Sequence, residues 1–350
     1  MERIAADPEE RNSLMSTVGR TGWLVPIGLF LVLASNVAAL SMPFLDIDVI
    51  IKGRMQYRLP ESVWLMWTKG LYWVAILIVV FSIIFPIAKT LALIVTWFVR
   101  LRVDRRKRFI HLLEMLGKWS MLDIFVVVLL MVLSNKQIFL STIPRVGLVF
   151  FIFAIIGNMI MSRIVEVVDE RVHPGYGRTD DDGPAFMPLD STGGPGWAVP
   201  LLAVAALGSI AVAVEIPFLR INDVLLHSNA YSVMDGIAAL WEEERFVLAL
   251  FLATFVATLP TIRMLMVLRL WFSSTTRGIH LRRLDAIRIV GEWSMMSVFL
   301  LALVMMATEG GQMVRTQIRG GMYAVMVSTV LCYLTVFVVS RLLRSRLRAD

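Results

Sequence analysis

Cysteine is nearly missing from this chain, and charge is scarce. Among 350 residues there is one cysteine, there are four histidines, and charged residues make up 17%. Cys332 lies inside an apolar run, and His111, His173, His227 and His280 are scattered. No disulfide framework, CxxC pair or zinc-ligand spacing can be assembled from them. No metal site and no cofactor is expected, and no nucleophile–base set is present, so the sequence does not read as an enzyme. The low charge, against roughly 25% in soluble domains, excludes an ordinary cytosolic fold. In its place stands apolar sequence, 58% of the chain.

The apolar residues fall in runs of about 20, the length that spans a bilayer when every backbone group is satisfied within the helix. Eight runs are centred near Leu31, Ile83, Val128, Phe153, Ala206, Thr258, Leu303 and Met326. The first could be a cleavable leader, with small residues near Ala38 and Ala39, but its equivalent recurs in mid-chain and it reads as a retained span. The formal charge of +7 could suggest nucleic acid, yet the lysines and arginines flank the apolar runs. The loop with Arg100, Arg102, Arg105, Arg106, Lys107, Arg108 and Lys118, and its later counterpart with Arg277, Arg282, Arg283 and Arg288, are placed in the cytoplasm by the positive-inside rule. With eight spans, both basic termini fall on that side too.

An offset of 174 positions superimposes the two halves without a gap. Gly22, Trp23 and Pro26 meet Gly196, Trp197 and Pro200. Pro43, Phe44 and Leu45 meet Pro217, Phe218 and Leu219. Tyr57 meets Tyr231, Pro86 meets Pro260, and Arg145 and Gly147 meet Arg319 and Gly321. Eight of ten tryptophans pair in this way, most near span ends, where an indole favours the membrane interface. Four spans per repeat, an even number, make the copies parallel. The expected architecture is an all-α polytopic membrane protein: a cytoplasmic segment 1–20, a four-helix module 21–168, a polar cytoplasmic linker 169–196, a second four-helix module 197–342 and a basic tail 343–350. The segments Phe44 to Tyr57 and Phe218 to Tyr231 alternate enough to form short external strands. The cluster Trp64-Leu65-Met66-Trp67 reads as an interfacial helix.

The most specific signal is Gly117-Lys118-Trp119-Ser120-Met121-Leu122-Asp123-Ile124-Phe125, repeated as Gly291-Glu292-Trp293-Ser294-Met295-Met296-Ser297-Val298-Phe299. It resembles the signature of the paraquat-inducible protein A (PqiA) family, a Gly-[Arg/Lys]-Trp-Ser-Met-Leu-Asp-Val-Phe stretch opening a membrane helix after a basic loop. Gly117, Trp119 and Met121, with Gly291, Trp293 and Met295, carry the match, and the Pro86-xx-Lys89 and Pro43-Phe44-Leu45 segments agree with it. Known members have cysteine-rich zinc ribbons before each module, and residues 1–20 and 169–196 here contain no cysteine. The resemblance implies a protein of the bacterial inner membrane that passes lipid between the bilayer and a periplasmic tunnel formed by an MCE-domain partner. An anchor for that partner that moves nothing, or an autonomous transporter of small solutes, are the competing readings.

Lys89 and Arg263 follow Pro86 and Pro260 by three residues, inside the second and sixth spans. A charge at that depth costs about 2.5–3.5 kcal/mol on insertion scales and faces a polar cavity, a partner or, by snorkelling, the headgroups. Each proline frees a carbonyl one turn back and favours a kink. Asp123 lies one turn into the third span, with Ser120 at i−3. Lys89, Asp123 and Ser120 would form a titratable polar site, and Arg263 with Ser294 and Ser297 a permanently cationic one suited to lipid phosphate. The alternative for Asp123 is that it complements the positive end of its helix. Asn36 and Asn158 read as helix bridges.

Overall fold

The computed structural model describes residues 22–349 apart from 50–52, 69, 71, 100–124, 126–127, 130–139, 173–184, 223–227 and 310–315. Among these residues seven helical segments are long and apolar enough to cross a membrane: Leu24–Ser41, Val79–Phe98, Val146–Asp169, Ala198–Glu215, Phe246–Trp271, Arg277–Val304 and Gly320–Leu343. This is a multi-pass membrane protein. The run centred near Val128 lies largely outside the described residues.

Two compact units arise, Met1–Ile124 with Ile138–Arg178, and Phe125–Gln137 with Thr179–Asp350. In the first, α1 (Leu24–Ser41) leads into the strand pair β1 (Leu45–Val49) and β2 (Gly53–Tyr57). The short helices α2 (Leu59–Thr68) and α3 (Tyr72–Ile78) follow. A π-helical turn, Val79–Ile84, joins α3 to α4 (Phe85–Phe98). Strand β3 (Leu140–Pro144) precedes α5 (Val146–Val172). Helices α1 and α5 pack along each other with α4 against both, around Val25, Leu29, Leu93, Trp97 and Val165.

The second unit repeats this order. After the short α6 (Pro188–Thr192) come α7 (Ala198–Glu215), β4 (Leu219–Asn222), β5 (Ser228–Tyr231), α8 (Val233–Glu242) and α9 (Phe246–Leu252). A π-turn, Ala253–Thr258, joins α9 to α10 (Leu259–Trp271). Helices α11 (Arg277–Trp293) and α12 (Met296–Glu309), strand β6 (Thr316–Ile318) and α13 (Gly320–Ala349) complete it. Helix α7 lies along α13 as α1 lies along α5. The first helices and the π-turns of the two halves coincide after the sequence offset, so the duplication extends to an irregularity of the backbone.

The segments expected to hold short strands form sheets. Antiparallel β1 lies between β2 and β3, and β4 between β5 and β6. The third strand of each, β3 and β6, was not anticipated from the sequence. Both sheets close by the same crossing. Arg145 and Gly147 amides donate to the Phe44 and Pro43 carbonyls at 3.1 and 3.0 Å, and Arg319 and Gly321 donate to Phe218 and Pro217 at the same distances. The repeated Pro-Phe-Leu and Arg-x-Gly residues are therefore two sides of one contact.

Four expectations are corrected. The basic segment from Arg277 is not a loop but helix α11, which buries His280, Ile287 and Gly291 on one face. Trp97 and Trp271 are fully buried rather than interfacial, and the Trp271 indole donates to the Gly196 carbonyl at 2.9 Å, which satisfies its polar edge. The linker is in part structured: Phe186 exchanges backbone bonds with Thr275, and α6 follows. Asn36 donates to Val32 of its own helix and, among the described residues, bridges to no second helix.

Candidate functional site

The signature of the second half is built around a carbonyl that its own helix cannot satisfy. In the π-turn before Pro260, the Leu259 amide reaches back to the Thr254 carbonyl. The next acceptor in that wider pattern, Phe255 O, faces residue 260, a proline without an N–H. The Met295 amide donates to it at 3.2 Å. Met295 can do so because the chain breaks from helix at Ser294 and Met295, between α11 and α12. The Trp293 ring stacks on Phe255, centroids 6.3 Å apart and planes 18° from parallel. Proline and signature thus form one structure, with the freed carbonyl of the first answered by the helix break of the second.

Arg263 lies one turn beyond Pro260 and is 8% exposed. Its guanidinium passes directly over Gly291, where a Cβ would fall 2.7 Å from Nε and closer still to Cζ. Glycine is needed here for space, since a side chain would occupy the place of the guanidinium. Arg263 also lies over the Tyr333 ring, 5.9 Å from its centroid. Among the described residues no carboxylate pairs with it, and its Nε makes no hydrogen bond. Glu292, the nearest acidic residue of the signature, pairs instead with Arg288 at 3.5 Å. A small cavity adjoins the guanidinium, walled by Ser294, Ser297, Thr329, Cys332 and Tyr333. The Ser297 and Tyr333 hydroxyls lie 3.4 Å apart. A positive group and hydroxyl donors around a cavity can bind an anion.

The first half shares the scaffold and fills it differently. Its π-turn also precedes proline, and the Phe85 amide reaches back to Val80 O. Lys89 is 3% exposed and Thr90 fully buried. Thr90 Oγ1 stands 2.8 Å from both the Pro86 carbonyl and Asn158 Oδ1, and Asn158 Nδ2 donates to Pro86 O at 3.3 Å. Asn158 is thus a bridge between α5 and α4. In the second half its counterpart is Cys332, and that of Thr90 is Met264, so the amide that seals the first site is replaced by a thiol beside a cavity. Gly117, Trp119, Ser120, Met121 and Asp123 lie outside the described residues.

The structure therefore gathers Pro260, Arg263, Gly291, Trp293, Ser294, Met295 and Ser297 at one place. Thr329 and Tyr333 join them from α13 and were not singled out from the sequence. Their i, i+4 spacing on one face of an apolar helix was the available signal.

A family model described as paraquat-inducible protein A matches residues 28–168 and 198–346, one stretch in each half. The proteins called Intermembrane transport protein PqiA in Escherichia coli (strain K12) and in Shigella flexneri are each 29% identical over 154 residues. That stretch covers 43% of this chain and 35% of theirs, so the match spans about a third of the relatives' length. No solved structure gives a significant match.

Proposed function

This chain belongs to the paraquat-inducible protein A family, and from that premise we propose that it is an inner-membrane subunit of an intermembrane lipid transport system. In this reading lipid passes between the inner membrane and a periplasmic tunnel made by an MCE-domain partner. The relatives named for intermembrane transport support the process. The observation that carries the site is Arg263, enclosed within a span and lacking a carboxylate partner among the described residues. A cation so placed has a standing cost in hydrocarbon, and a passing polar headgroup offsets it.

The proposed arrangement has eight spans in two parallel four-helix modules, with both termini in the cytoplasm. The two sheets then lie on the periplasmic side, where they meet the partner. Lys89 with Asp123 and Ser120 forms the titratable site of the first module, and Arg263 with Ser294 and Ser297 the cationic site of the second. Two experiments test this. The full chain should co-purify with an MCE-domain protein from the same membrane. Lys89→Ala and Asp123→Asn should each impair lipid-transport complementation. Full activity in both variants removes the polar site from the mechanism and leaves an anchor for the partner. Transport without any MCE-domain partner favours an autonomous transporter.

A further inference from the structure

The two halves share the π-turn but differ at its polar end, where Thr90 and Asn158 give way to Met264 and Cys332. In the first half Asn158 and the buried Thr90 hydroxyl bond to each other and to the Pro86 carbonyl. In the second the same level of the helix pair holds Arg263, its Nε unpartnered, beside a cavity. We propose that this cavity of the second half is a binding site for a phosphate-type oxyanion. The inference rests on the reading of this pocket as a transport site and names its ligand.

Three features fix the chemistry. The guanidinium is permanently charged and presents planar donors matched to phosphate oxygens. The Ser294 and Ser297 side chains add hydroxyl donors from the helix break and the first turn of α12, and Glu292, paired with Arg288, acts on Arg263 only through space. The free space is about that of one water molecule, which suits one anionic oxygen inserted from the mouth, with the remainder of the group outside. Tyr333, which lines the cavity, is 46% exposed, and the neighbouring surface of α13 shows Val330 and Leu334, 58% and 42% exposed. An apolar rim favours a ligand whose other end is hydrocarbon, hence a phospholipid phosphodiester over a free ion.

Native mass spectrometry of the full chain in detergent tests the assignment, with added dioleoyl phosphatidylglycerol, dioleoylglycerol and inorganic phosphate as probes. Wild type should retain the phospholipid in preference to the phosphate-free dioleoylglycerol. Arg263→Gln should lower that retention by about tenfold, the worth of a charge-assisted hydrogen bond, and Arg263→Lys should restore part of it. Ser297→Ala keeps the charge and should lower retention by about threefold, so the site remains testable even if Arg263→Gln does not fold. Displacement by millimolar inorganic phosphate identifies a small-anion site, and persistence identifies the headgroup. Equal retention of dioleoylglycerol, or unchanged retention in both Arg263→Gln and Ser297→Ala, overturns the proposal. If Arg263→Gln loses the lipid but complements transport fully, the transport reading fails and the site stands. If it keeps the lipid but abolishes transport, the reverse holds.

Discussion

Gly321→Ala should be among the most damaging single-methyl additions in this protein. At the start of α13 the Gly321 amide donates to the Pro217 carbonyl, and the Arg319 amide donates to Phe218 two residues earlier. A Cβ at Gly321 would lie 2.6 Å from the Pro217 carbonyl carbon and closer to the Ile216 oxygen. These are backbone atoms anchored between α7 and β4, so no rotamer relieves the clash and the helix start must move. Overpacking of this kind costs about 1–3 kcal/mol. Weakening the two backbone bonds adds about 0.5–1.5 kcal/mol each. A loss of about 2–6 kcal/mol lowers the melting temperature by roughly 4–24 °C in a unit of this size. Gly320→Ala is the matched control, because its nearest neighbour is the tip of Ile216 at 3.9 Å. Thermal unfolding of both variants in detergent decides the matter. The equivalent change in the first half, Gly147→Ala, meets Pro43 O at 2.5 Å and should behave likewise. If Gly321→Ala and Gly147→Ala melt with wild type, the crossing contact is not as described.

Glu244 holds φ 59° where its first-half counterpart, Gly70, holds φ 80°, and both amides donate to a tryptophan carbonyl three residues back. Glu244→Gly should therefore stabilise the protein by about 0.5–1 kcal/mol, the left-handed penalty less the added chain entropy, and a lowered melting temperature would contradict this. Burial raises the Glu243 carboxyl above its ordinary range, with Arg245 opposing. The folded form then keeps its proton to higher pH than the unfolded form, so stability falls as pH rises from the ordinary carboxylate range through the raised value. Glu243→Gln should flatten that slope in melting scans between about pH 4 and pH 8, and an unchanged slope would remove Glu243 as its source. Gly291→Ala drives a methyl group into the Arg263 guanidinium, the movable end of a flexible side chain. It should cost less stability than Gly321→Ala yet impair complementation; full complementation would show that the position of Arg263 over Gly291 is unimportant.

Much of this was legible because a duplicated sequence states its constraints twice. Pro43 and Gly147 recur as Pro217 and Gly321, and each pair is a backbone contact that tolerates no side chain. The prolines announced a freed carbonyl, but not that a π-turn would shift it to Phe255 or that Met295 would take it, because that depends on where α11 breaks. The basic residues from Arg277 were legible as charge and not as helix, since four arginines are spread among the apolar residues of that stretch. Strand β6 has three residues, too few to show alternation, and β3 ends on Pro144, which argues against a strand. Trp97 and Trp271 were misplaced because an indole at a span end suits the interface and the core equally, and only the buried acceptor on Gly196 reveals which applies to Trp271. The hydroxyls of Thr329 and Tyr333 were hidden in the apolar composition of α13.

Reconstituted lipid transfer tests the central claim most directly. Vesicles containing the full chain and its MCE-domain partner, loaded with a fluorescent phospholipid, should release it to acceptor vesicles at a rate that falls about tenfold or more in Arg263→Gln, in line with the loss of one charge-assisted contact. A variant that remains folded, holds its partner and transfers lipid at the wild-type rate would contradict the account.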